Sequence, residues 1–326
     1  MTVQPPFKYD VVGSFLRPGY LKKAREEFAN KTIDAKQLKA IEDKAIQELV
    51  AKEKEVGLQA VTDGEFRRRY WHLDFLADLD GVEEIKAYHW SVHFKGHQPK
   101  AATLKITDKI DFGNHPFVEH FKYLQSIGQD TLCKMTIPSP SMLHLICCVR
   151  SEEYTPIKRY EDMDVLYHDI AIAYQKAIRA FYDAGCRYLQ LDDTSWGEFC
   201  DANKRKAYNK RGLDLDKIAK SYVDMINLAL EAKPKDMTIT MHICRGNFRS
   251  TWFSSGGYEP VAEILFGHCK VDGFFLEYDS ERSGDFSPLR FIKDQKVVLG
   301  LITSKFAKLE DKEEVKKRIQ EAEKYV

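Results

Sequence analysis

The stretch Tyr188-Leu189-Gln190-Leu191-Asp192-Asp193 decides the fold of this chain. Residues 162–184 precede it as an amphipathic segment with apolar side chains three and four residues apart, and the segment stops at Gly185. That spacing predicts a helix, and glycine is typical of the position after a helix. A short apolar run that ends in two carboxylates predicts a buried strand with a polar end. The order of helix, glycine, strand and acidic end is typical of a parallel α/β sheet.

The same alternation recurs along the chain. Short β-rich runs predict strands at residues 9–13, 59–62, 131–137, 188–191, 237–241, 273–276 and 297–302. Amphipathic stretches predict helices at residues 34–56, 162–184 and 216–232, and a charged helix at 308–325. Strands that alternate with helices pair in parallel through right-handed crossovers. The pattern therefore predicts the α/β class.

Seven strand–helix units suit either an open doubly wound sheet or a TIM (β/α)8 barrel, and the polar strand ends favour the barrel. We expect one barrel domain over residues 1–326. Residues 85–112 interrupt the alternation with two extended runs, 87–94 and 103–110, around a turn. They predict a β-hairpin inserted into one loop of the barrel. An eight-stranded barrel needs one strand more than the pattern supplies, so we expect it to be C-terminally incomplete in this chain.

Charge and cysteine content exclude several classes of protein. The chain has 50 Lys+Arg and 50 Asp+Glu, so its zero formal net charge gives no general attraction to nucleic acid or to an anionic membrane. No apolar run is long enough to cross a bilayer, and the N-terminus has no apolar signal core. The seven cysteines are an odd and scattered set, which indicates reduced thiols and a cytoplasmic protein. We expect small-molecule partners.

Residues able to do chemistry follow most of the predicted strands. In a parallel barrel, the loops after the strands form the active face, so these residues are expected to lie close together. The set comprises Gly13-Ser14-Phe15, Asp63-Gly64-Glu65, Asp192-Asp193, His242-Ile243-Cys244, Glu277 and Thr303-Ser304-Lys305.

The most specific member of this set is the pair His242 and Cys244 with Glu277. Residues i and i+2 of an extended segment project to the same side, so His242 and Cys244 can converge on one ion. Glu277, at the end of the next strand, can add an oxygen ligand. Imidazole, thiolate and carboxylate together suit zinc, and three protein ligands leave one position open. The alternative is a buried cysteine beside a histidine that is hydrogen-bonded in the core.

The acidic residues allow two interpretations each. Either Asp192 or Asp193 can cap the helix that follows, or a carboxylate there can bind an ammonium group or act as a general base. Glu65 can pair with the arginines at residues 67–69, or this group can bind a zwitterionic substrate. The arginines themselves can also be a solvated loop. Gly13-Ser14 can offer a backbone N–H and a hydroxyl to a carboxylate or phosphate, or can be an ordinary turn.

Taken in order, these motifs resemble a known family. The set Gly13-Ser14-Phe15, Asp63-Gly64-Glu65, Gln190-Leu191-Asp192-Asp193, His242-Ile243-Cys244 and Leu276-Glu277 resembles the catalytic domain of cobalamin-independent methionine synthase. It is most similar to the short, stand-alone members of that family. The resemblance runs from Val11 to about Lys305.

The resemblance implies a fold, a cofactor and a reaction. It implies a TIM barrel with zinc bound by His242, Cys244 and Glu277. It implies that Ser14 contacts the carboxylate of homocysteine, while Asp192 and Glu65 contact its ammonium group. The reaction would be methyl transfer from a 5-methyltetrahydrofolate-type donor to the homocysteine sulfur, as in a 5-methyltetrahydropteroyltriglutamate–homocysteine S-methyltransferase, and would contribute to methionine biosynthesis.

Three departures from the family pattern matter. The family has a further zinc-ligating cysteine downstream of Glu277, whereas here no cysteine follows Cys269. With the missing eighth strand, this predicts that the native protein continues beyond Val326. The family's acid–base histidine falls near Lys305, so Lys305 and Asp192 are the predicted catalytic residues. The family's N-terminal barrel is absent from this chain, which leaves binding of a polyglutamylated folate unsupported.

Two other functions remain open at this point. One is a metal-free barrel of the uroporphyrinogen decarboxylase type, in which an aspartate and arginines hold a polycarboxylate. The other is a non-catalytic barrel that binds an amino acid or a metal. A measurement of zinc content would distinguish the metal-free barrel from the methyltransferase, because only the methyltransferase needs zinc. The sequence also allows the chain to form a homodimer.

Overall fold

A computed structural model describes residues 4–86 and 102–326 of the chain. Within these residues, six strands form one curved parallel sheet in the order β1-β4-β5-β6-β7-β8, and β2 and β3 form an antiparallel pair. The curved sheet has the form of a half-barrel, which confirms the prediction of a TIM-like α/β fold. The strands are β1 Ala60–Val61, β2 Asp80–Lys86, β3 Ala102–Asp111, β4 Leu132–Pro138, β5 Tyr188–Asp193, β6 Thr238–Ile243, β7 Gly273–Glu277 and β8 Lys296–Gly300.

Helices connect these strands. They are α1 Gly19–Ala29, α2 Ala35–Glu55, α3 Leu73–Leu76, α4 Pro116–Gly128, α5 Ser141–His144, α6 Met163–Asp183, α7 Ser195–Cys200, α8 Ala202–Lys210, α9 Leu215–Leu230, α10 Glu259–His268 and α11 Lys312–Ala322. A π-helical turn, Leu145–Val149, extends α5. Among the described residues, none of the helices combines the length and the apolar character needed to cross a membrane.

The long helices begin and end where their local chemistry predicts. The side chain of Asp34 accepts a hydrogen bond from Gln37 N, and the Gln37 side chain accepts one from Asp34 N, which forms a capping box at the start of α2. Asp162 caps α6 in a similar way, through Asp164 N. Gly185 follows α6 with a φ of +98°, a conformation that favours glycine. The helices predicted at 34–56 and 162–184 are therefore confirmed.

The first predicted strand, residues 9–13, is wrong. The carbonyl oxygens of this extended segment accept hydrogen bonds from side chains of the sheet and not from a neighbouring backbone. The contacts are Lys134 Nζ to Val11 O at 2.6 Å, Gln190 Nε2 to Val12 O at 2.8 Å, and Thr62 Oγ1 to Gly13 O at 2.9 Å. The segment therefore crosses one face of the sheet, where hydrogen bonds from these side chains take the place of strand pairing.

The inserted hairpin is confirmed in its second strand. β3 contains the predicted run 103–110 and pairs antiparallel with β2, which begins earlier than the predicted insertion at 85. The predicted first run, residues 87–94, lies outside the described residues. The register shifts beside Gly81, whose φ is +76° and where a Cβ atom would lie 2.4 Å from Lys109 O. A glycine is therefore required at this irregularity.

Parallel register aligns the carboxyl ends of the central strands. Pro138 pairs with Asp192 across β4 and β5, and Asp192 pairs with His242 across β5 and β6. Across β6 and β7, Ile243 pairs with Leu276. Register partners in a parallel pair point to the same face, so Asp192 and His242 share one side of the sheet.

Glu53 is a buried carboxyl group that links α2 to the sheet. It is 2% exposed, and its oxygens accept hydrogen bonds from Thr62 N at 3.1 and 3.2 Å and from Thr62 Oγ1 at 3.2 Å. Burial raises the pKa of Glu53 from 4.5 to about 7, although the Thr62 hydrogen bonds act in the opposite direction.

This pKa predicts a pH dependence of stability. The folded protein keeps a proton on Glu53 that the unfolded chain releases, so the contribution of Glu53 to the free energy of unfolding should fall as pH rises from 4.5 to about 7 and stay low above it. Glu53→Gln should remove this fall and stabilise the protein at pH 8 by on the order of 2 kcal/mol. Urea unfolding at several pH values measures both effects.

Glu55→Gln provides the matched control for this experiment, because Glu55 lies on the same helix and is exposed. It should leave the pH profile of the parent unchanged. A Glu53→Gln profile that falls as steeply as that of the parent between pH 4.5 and 7 would contradict the prediction.

Candidate active site

The aligned strand ends bring Asp192 and His242 into contact. Asp192 Oδ1 lies 2.9 Å from His242 Nδ1 and also accepts a hydrogen bond from Gln190 Nε2 at 2.8 Å. An ionised carboxylate only accepts hydrogen bonds, so Nδ1 of His242 carries the proton. Both side chains are largely buried. The pair therefore fixes the orientation of the imidazole and leaves Nε2 for another partner.

Asp193, the next residue, has a structural role. Its carboxylate accepts hydrogen bonds from the Ser141 hydroxyl and from Ser195 N, the latter at 2.8 Å at the start of α7. Burial raises the pKa of Asp193 despite these hydrogen bonds. Thr194 is the N-cap residue of α7, so neither aspartate occupies that position, but Asp193 accepts a hydrogen bond from the N–H of the first helical residue and Asp192 remains available for a site.

Glu65 lies at the same edge of the sheet. Its Oε1 accepts hydrogen bonds from Thr136 Oγ1 at 3.0 Å and from Arg68 Nη1 at 3.1 Å. Burial raises the pKa of Glu65, and the nearby carboxylates of Asp192 and Asp63 raise it further, while Arg68 opposes the shift. Two close carboxylates with one arginine form a place where an additional cation would be stabilised.

A strained turn brings Ser14 to Glu65. Gly64 and Glu65 have φ values of +64° and +59°, and Gly64 O accepts a hydrogen bond from Phe15 N at 3.2 Å. A non-glycine residue with positive φ is uncommon and is found often at functional sites. Ser14, beside Phe15, is exposed at this turn. The structure therefore places Ser14 near the Glu65 turn.

The three arginines at residues 67–69 have different environments. Arg68 is buried and pairs with Glu65, which confirms the internal-pairing interpretation for this residue. The side chain of Arg67 is also buried and contacts Glu42 and Asp43. Arg69 is the solvated member, because its side chain is more than half exposed.

Cys244 directly follows β6. In the register of β6 and β7, Ile243 pairs with Leu276, so the next residues, Cys244 and Glu277, lie side by side along the strands. Burial raises the pKa of the Cys244 thiol to about 12, and the charge of Glu277 contributes to the rise. Lys305 acts in the opposite direction. Without a further cation, this sulfur stays a thiol at neutral pH.

Glu277 has three cationic or N–H partners. Its Oε2 accepts a hydrogen bond from Arg245 N at 2.5 Å, and its Oε1 accepts one from Arg282. Lys305 Nζ lies 3.8 Å from Oε1. Burial alone would raise the pKa of Glu277, but Lys305, Arg282 and the Arg245 N–H outweigh it, and the pKa is lowered. The carboxylate is therefore ionised.

The predicted zinc ligands fit the metal in part. His242 has a carboxylate on Nδ1, as zinc-binding histidines often have, and the donor types of Cys244 and Glu277 suit zinc. In the part of the chain that the structure describes, however, no three His, Cys, Asp or Glu side chains stand close enough together to hold an ion. Glu277 points to Arg282 and Lys305. The residues fit zinc by donor chemistry and strand register, and binding requires Glu277 to exchange its partners.

Several residues of the site were assigned no role from the sequence. Thr136 and Gln190 are register partners, and each is a polar residue within a buried strand, a signal that could have identified them. Arg282 lies in the short 3-10 turn Glu281–Ser283. No periodic pattern marks such a turn, so its contact with Glu277 depends on the tertiary structure.

The fold and these strand ends define the class of protein. The chain belongs to the cobalamin-independent synthase family, whose catalytic domain matches residues 7–326. The family membership predicted from the strand-end motifs is therefore confirmed.

Particular relatives are similar over most of the chain. YxjG of Bacillus subtilis, a protein of uncharacterised function, is 48% identical over 99% of this chain and 84% of its own length. The crystal structure of a candidate vitamin-B12-independent methionine synthase from Listeria monocytogenes is also 48% identical, with a TM-score of 0.79 over 98% of this chain and 87% of that one. The 5-methyltetrahydropteroyltriglutamate–homocysteine methyltransferase of Bacillus velezensis is 22% identical over 83% of this chain and 33% of its own length.

The two adjacent aspartates should differ in their effect on stability. Asp193→Asn should lower the free energy of unfolding by about 1–3 kcal/mol, because buried N–H and hydroxyl donors lose their carboxylate acceptor. Asp192→Asn should lower it by less than about 1 kcal/mol, because Oδ1 accepts both hydrogen bonds and an amide oxygen can replace it. Urea unfolding of both variants measures the difference, and equal losses would contradict the assignment.

Proposed function

We propose that this protein is a zinc-dependent methyltransferase that transfers a methyl group from a 5-methyltetrahydrofolate-type donor to the thiol of homocysteine and forms methionine. The observation that carries the proposal is the contact of Asp192 with His242, two residues before Cys244 and Glu277 in the register of the strands, in a chain of the cobalamin-independent synthase family. The triglutamate form of the donor is included, because a relative is named for it.

The acidic edge of the site would bind the amino-acid end of homocysteine. Glu65 and Asp192 are neighbouring buried carboxylates, and a substrate ammonium group would relieve their repulsion. Ser14, exposed beside the Glu65 turn, would contact the substrate carboxylate. Holding both charged groups would aim the sulfur and restrict its motion before reaction.

His242, Cys244 and Glu277 would hold zinc. When bound, the ion would lower the pKa of a thiol and supply the homocysteine sulfur as a thiolate. Asp192 keeps the proton of His242 on Nδ1, which leaves the lone pair of Nε2 for the ion. Arg282 and Lys305 keep Glu277 ionised in the metal-free protein, which is the form a ligand must have.

Methyl transfer also needs a proton. The sulfur–carbon bond forms as the bond between the methyl carbon and the donor nitrogen breaks, and the nitrogen leaves readily only when protonated. We assign this proton to Lys305, which is buried and whose Nζ lies 3.8 Å from Glu277 Oε1. Asp192 would assist by keeping the imidazole and the substrate ammonium in place.

Substitution of Cys244 tests the metal site. Cys244→Ser should lose bound zinc and thiol methylation together, because a serine hydroxyl is a poor zinc ligand at neutral pH. Elemental analysis of the purified protein and a homocysteine methylation assay measure the two properties. The parent should hold about one zinc per chain.

Cys148→Ser is the matched control, since Cys148 is also a half-buried free thiol but lies on the π-helical turn. It should retain zinc and activity. A Cys244→Ser variant with zinc and activity intact would refute the site. A parent that binds no zinc would favour the metal-free barrel, and one that binds homocysteine without methylating it would favour a binding protein.

The role of Glu65 is testable with two substrates. Glu65→Gln should raise KM for homocysteine about tenfold or more, because the ammonium group loses a charged partner. With 4-mercaptobutanoate, which has the same thiol and carboxylate but no amino group, the parent and the variant should have similar KM values. Equal increases for both substrates would mean that Glu65 acts through folding and not through the ammonium group.

A further inference from the structure

Thr62 lies between two segments that carry residues of the proposed substrate site. It directly follows β1 and is buried. Its hydroxyl oxygen lies 2.9 Å from Gly13 O, in the peptide unit that joins Gly13 to Ser14. The same oxygen lies 3.1 Å from Gly64 N, in the turn that presents Glu65. One hydroxyl group therefore contacts the backbone beside both Ser14 and Glu65.

The contact with Gly13 O fixes how Ser14 faces the site. A trans peptide unit is planar, and its C=O and N–H point in opposite directions. The unit between Gly13 and Ser14 is trans, so the N–H of Ser14 points away from Thr62. Across residues 4–86 and 102–326, this N–H has no hydrogen-bond partner, and the Ser14 side chain is exposed. The N–H and the hydroxyl of Ser14 are thus both free to bind a carboxylate.

The hydroxyl of Thr62 has a second acceptor within reach. Glu53 Oε1 lies 3.2 Å from Thr62 Oγ1, on α2. A hydroxyl has one hydrogen, so Thr62 donates either to Gly13 O or to Glu53 at any moment. Its oxygen has two lone pairs, of which one accepts the N–H of Gly64 and the other is available.

The two protonation states of Glu53 favour different arrangements. A protonated Glu53 donates its own hydrogen to Thr62 Oγ1, which leaves the Thr62 hydrogen for Gly13 O. An ionised Glu53 only accepts, and a charged acceptor forms the stronger hydrogen bond, so it takes the Thr62 hydrogen as well as the Thr62 N–H. Gly13 O then loses its donor. Loss of the Glu53 proton therefore releases the carbonyl group that orients Ser14.

The surroundings of Glu53 place its ionisation near neutral pH. Burial raises the pKa of Glu53 to about 7; the charge of Asp63, after β1, adds to the rise, and Lys134 of β4 opposes it. Cys133, also on β4, is near Glu53 and is a neutral thiol, because burial raises its pKa to about 11. Within the described residues, the polar contacts of α1 and α4 with α2 lie at residues 39–48, on earlier turns.

We infer that Thr62 is a positioning residue for the carboxylate of homocysteine and that a proton on Glu53 directs its hydroxyl to Gly13 O, an inference that rests on the proposed function. With the proton in place, Thr62 holds the Ser14 peptide unit in the orientation that binds the carboxylate. When the proton leaves to water, the hydroxyl turns to Glu53 and the peptide unit is free to rotate. Both residues act through the backbone beside Ser14. The substrate carboxylate is therefore bound more weakly at high pH.

The test compares four variants with the parent at pH 6 and pH 8. Glu53→Gln has a neutral amide that can donate to Thr62 at either pH. Thr62→Val removes the hydroxyl, Thr62→Ser retains it, and Glu55→Gln, exposed on α2, is the control. KM and kcat are measured for homocysteine and for 3-mercaptopropylamine, which has the thiol and the ammonium group but no carboxylate. Comparison at equal pH allows for other titrating groups such as Lys134, whose pKa burial lowers to about 8.

At pH 8, Glu53→Gln should have a KM for homocysteine about three- to tenfold below that of the parent and of Glu55→Gln, because one hydrogen bond that orients Ser14 is restored. At pH 6 these three proteins should be alike. Thr62→Val should have the higher KM at both pH values, and Thr62→Ser should follow the parent. KM for 3-mercaptopropylamine, and kcat for either thiol, should equal the parent values at each pH.

Two kinetic results would overturn the inference. One is an equal KM for homocysteine in the parent and Glu53→Gln at pH 8. The other is a parallel change of KM for both thiols, which would mean that the substitutions act through general folding. The inference does not depend on the folding of Thr62→Val, since Glu53→Gln tests the same hydrogen bond in the opposite direction.

Hydrogen exchange separates this inference from the proposed function, because it requires no substrate. Phe15 N donates to Gly64 O at 3.2 Å, so its protection reports whether the backbone beside Ser14 is held. After correction for the intrinsic effect of pH, exchange in peptides covering residues 11–17 should become about threefold faster from pH 6 to pH 8 in the parent and not in Glu53→Gln.

This exchange result in a protein that does not methylate homocysteine would support the control of Ser14 by Glu53, and the proposed reaction would fail alone. Equal pH dependence of exchange in the parent and in Glu53→Gln would refute the inference whether or not the protein is an active enzyme.

Discussion

The parallel register of β5, β6 and β7 is the constraint on which the site depends. It sets Asp192 beside His242 and makes Cys244 level with Glu277, so residues far apart in the chain meet at one edge. A shift of one residue in any of these strands would turn its side chains to the opposite face. The hydrogen bond between Asp192 and His242 forms because this register places the two side chains next to each other.

Charge balance explains how so many ionisable groups share one edge of the sheet. On one side, burial raises the pKa of Glu65, the charge of Asp192 raises it further, and Arg68 offsets the rise in part. On the other side, Arg282 and Lys305 keep Glu277 ionised. The acidic side suits an ammonium group, and the ionised Glu277 suits a metal ion. These two kinds of environment are what the proposed zwitterionic thiol and zinc ion would require.

How much of the fold could be predicted from the sequence depends on whether the interactions are local or join distant parts of the chain. The helices from 34 and from 162 depend on local capping and apolar spacing, and both were predictable. The segment at 9–13 was not, because its carbonyls are satisfied by side chains such as Lys134 and Gln190, which lie more than a hundred residues away. No local pattern distinguishes such a segment from a strand.

The sequence by itself determined the alternation of strands and helices, the family, and the residues that follow each strand, since these depend on local periodicity and on short motifs. Only the tertiary structure decided that Asp193 binds Ser141 and Ser195 while Asp192 contacts His242, and that Arg282 and Lys305 lie against Glu277. The physical reason is that the role of an ionisable side chain depends on its burial and on the charges near it. Both are set by packing between distant segments of the chain.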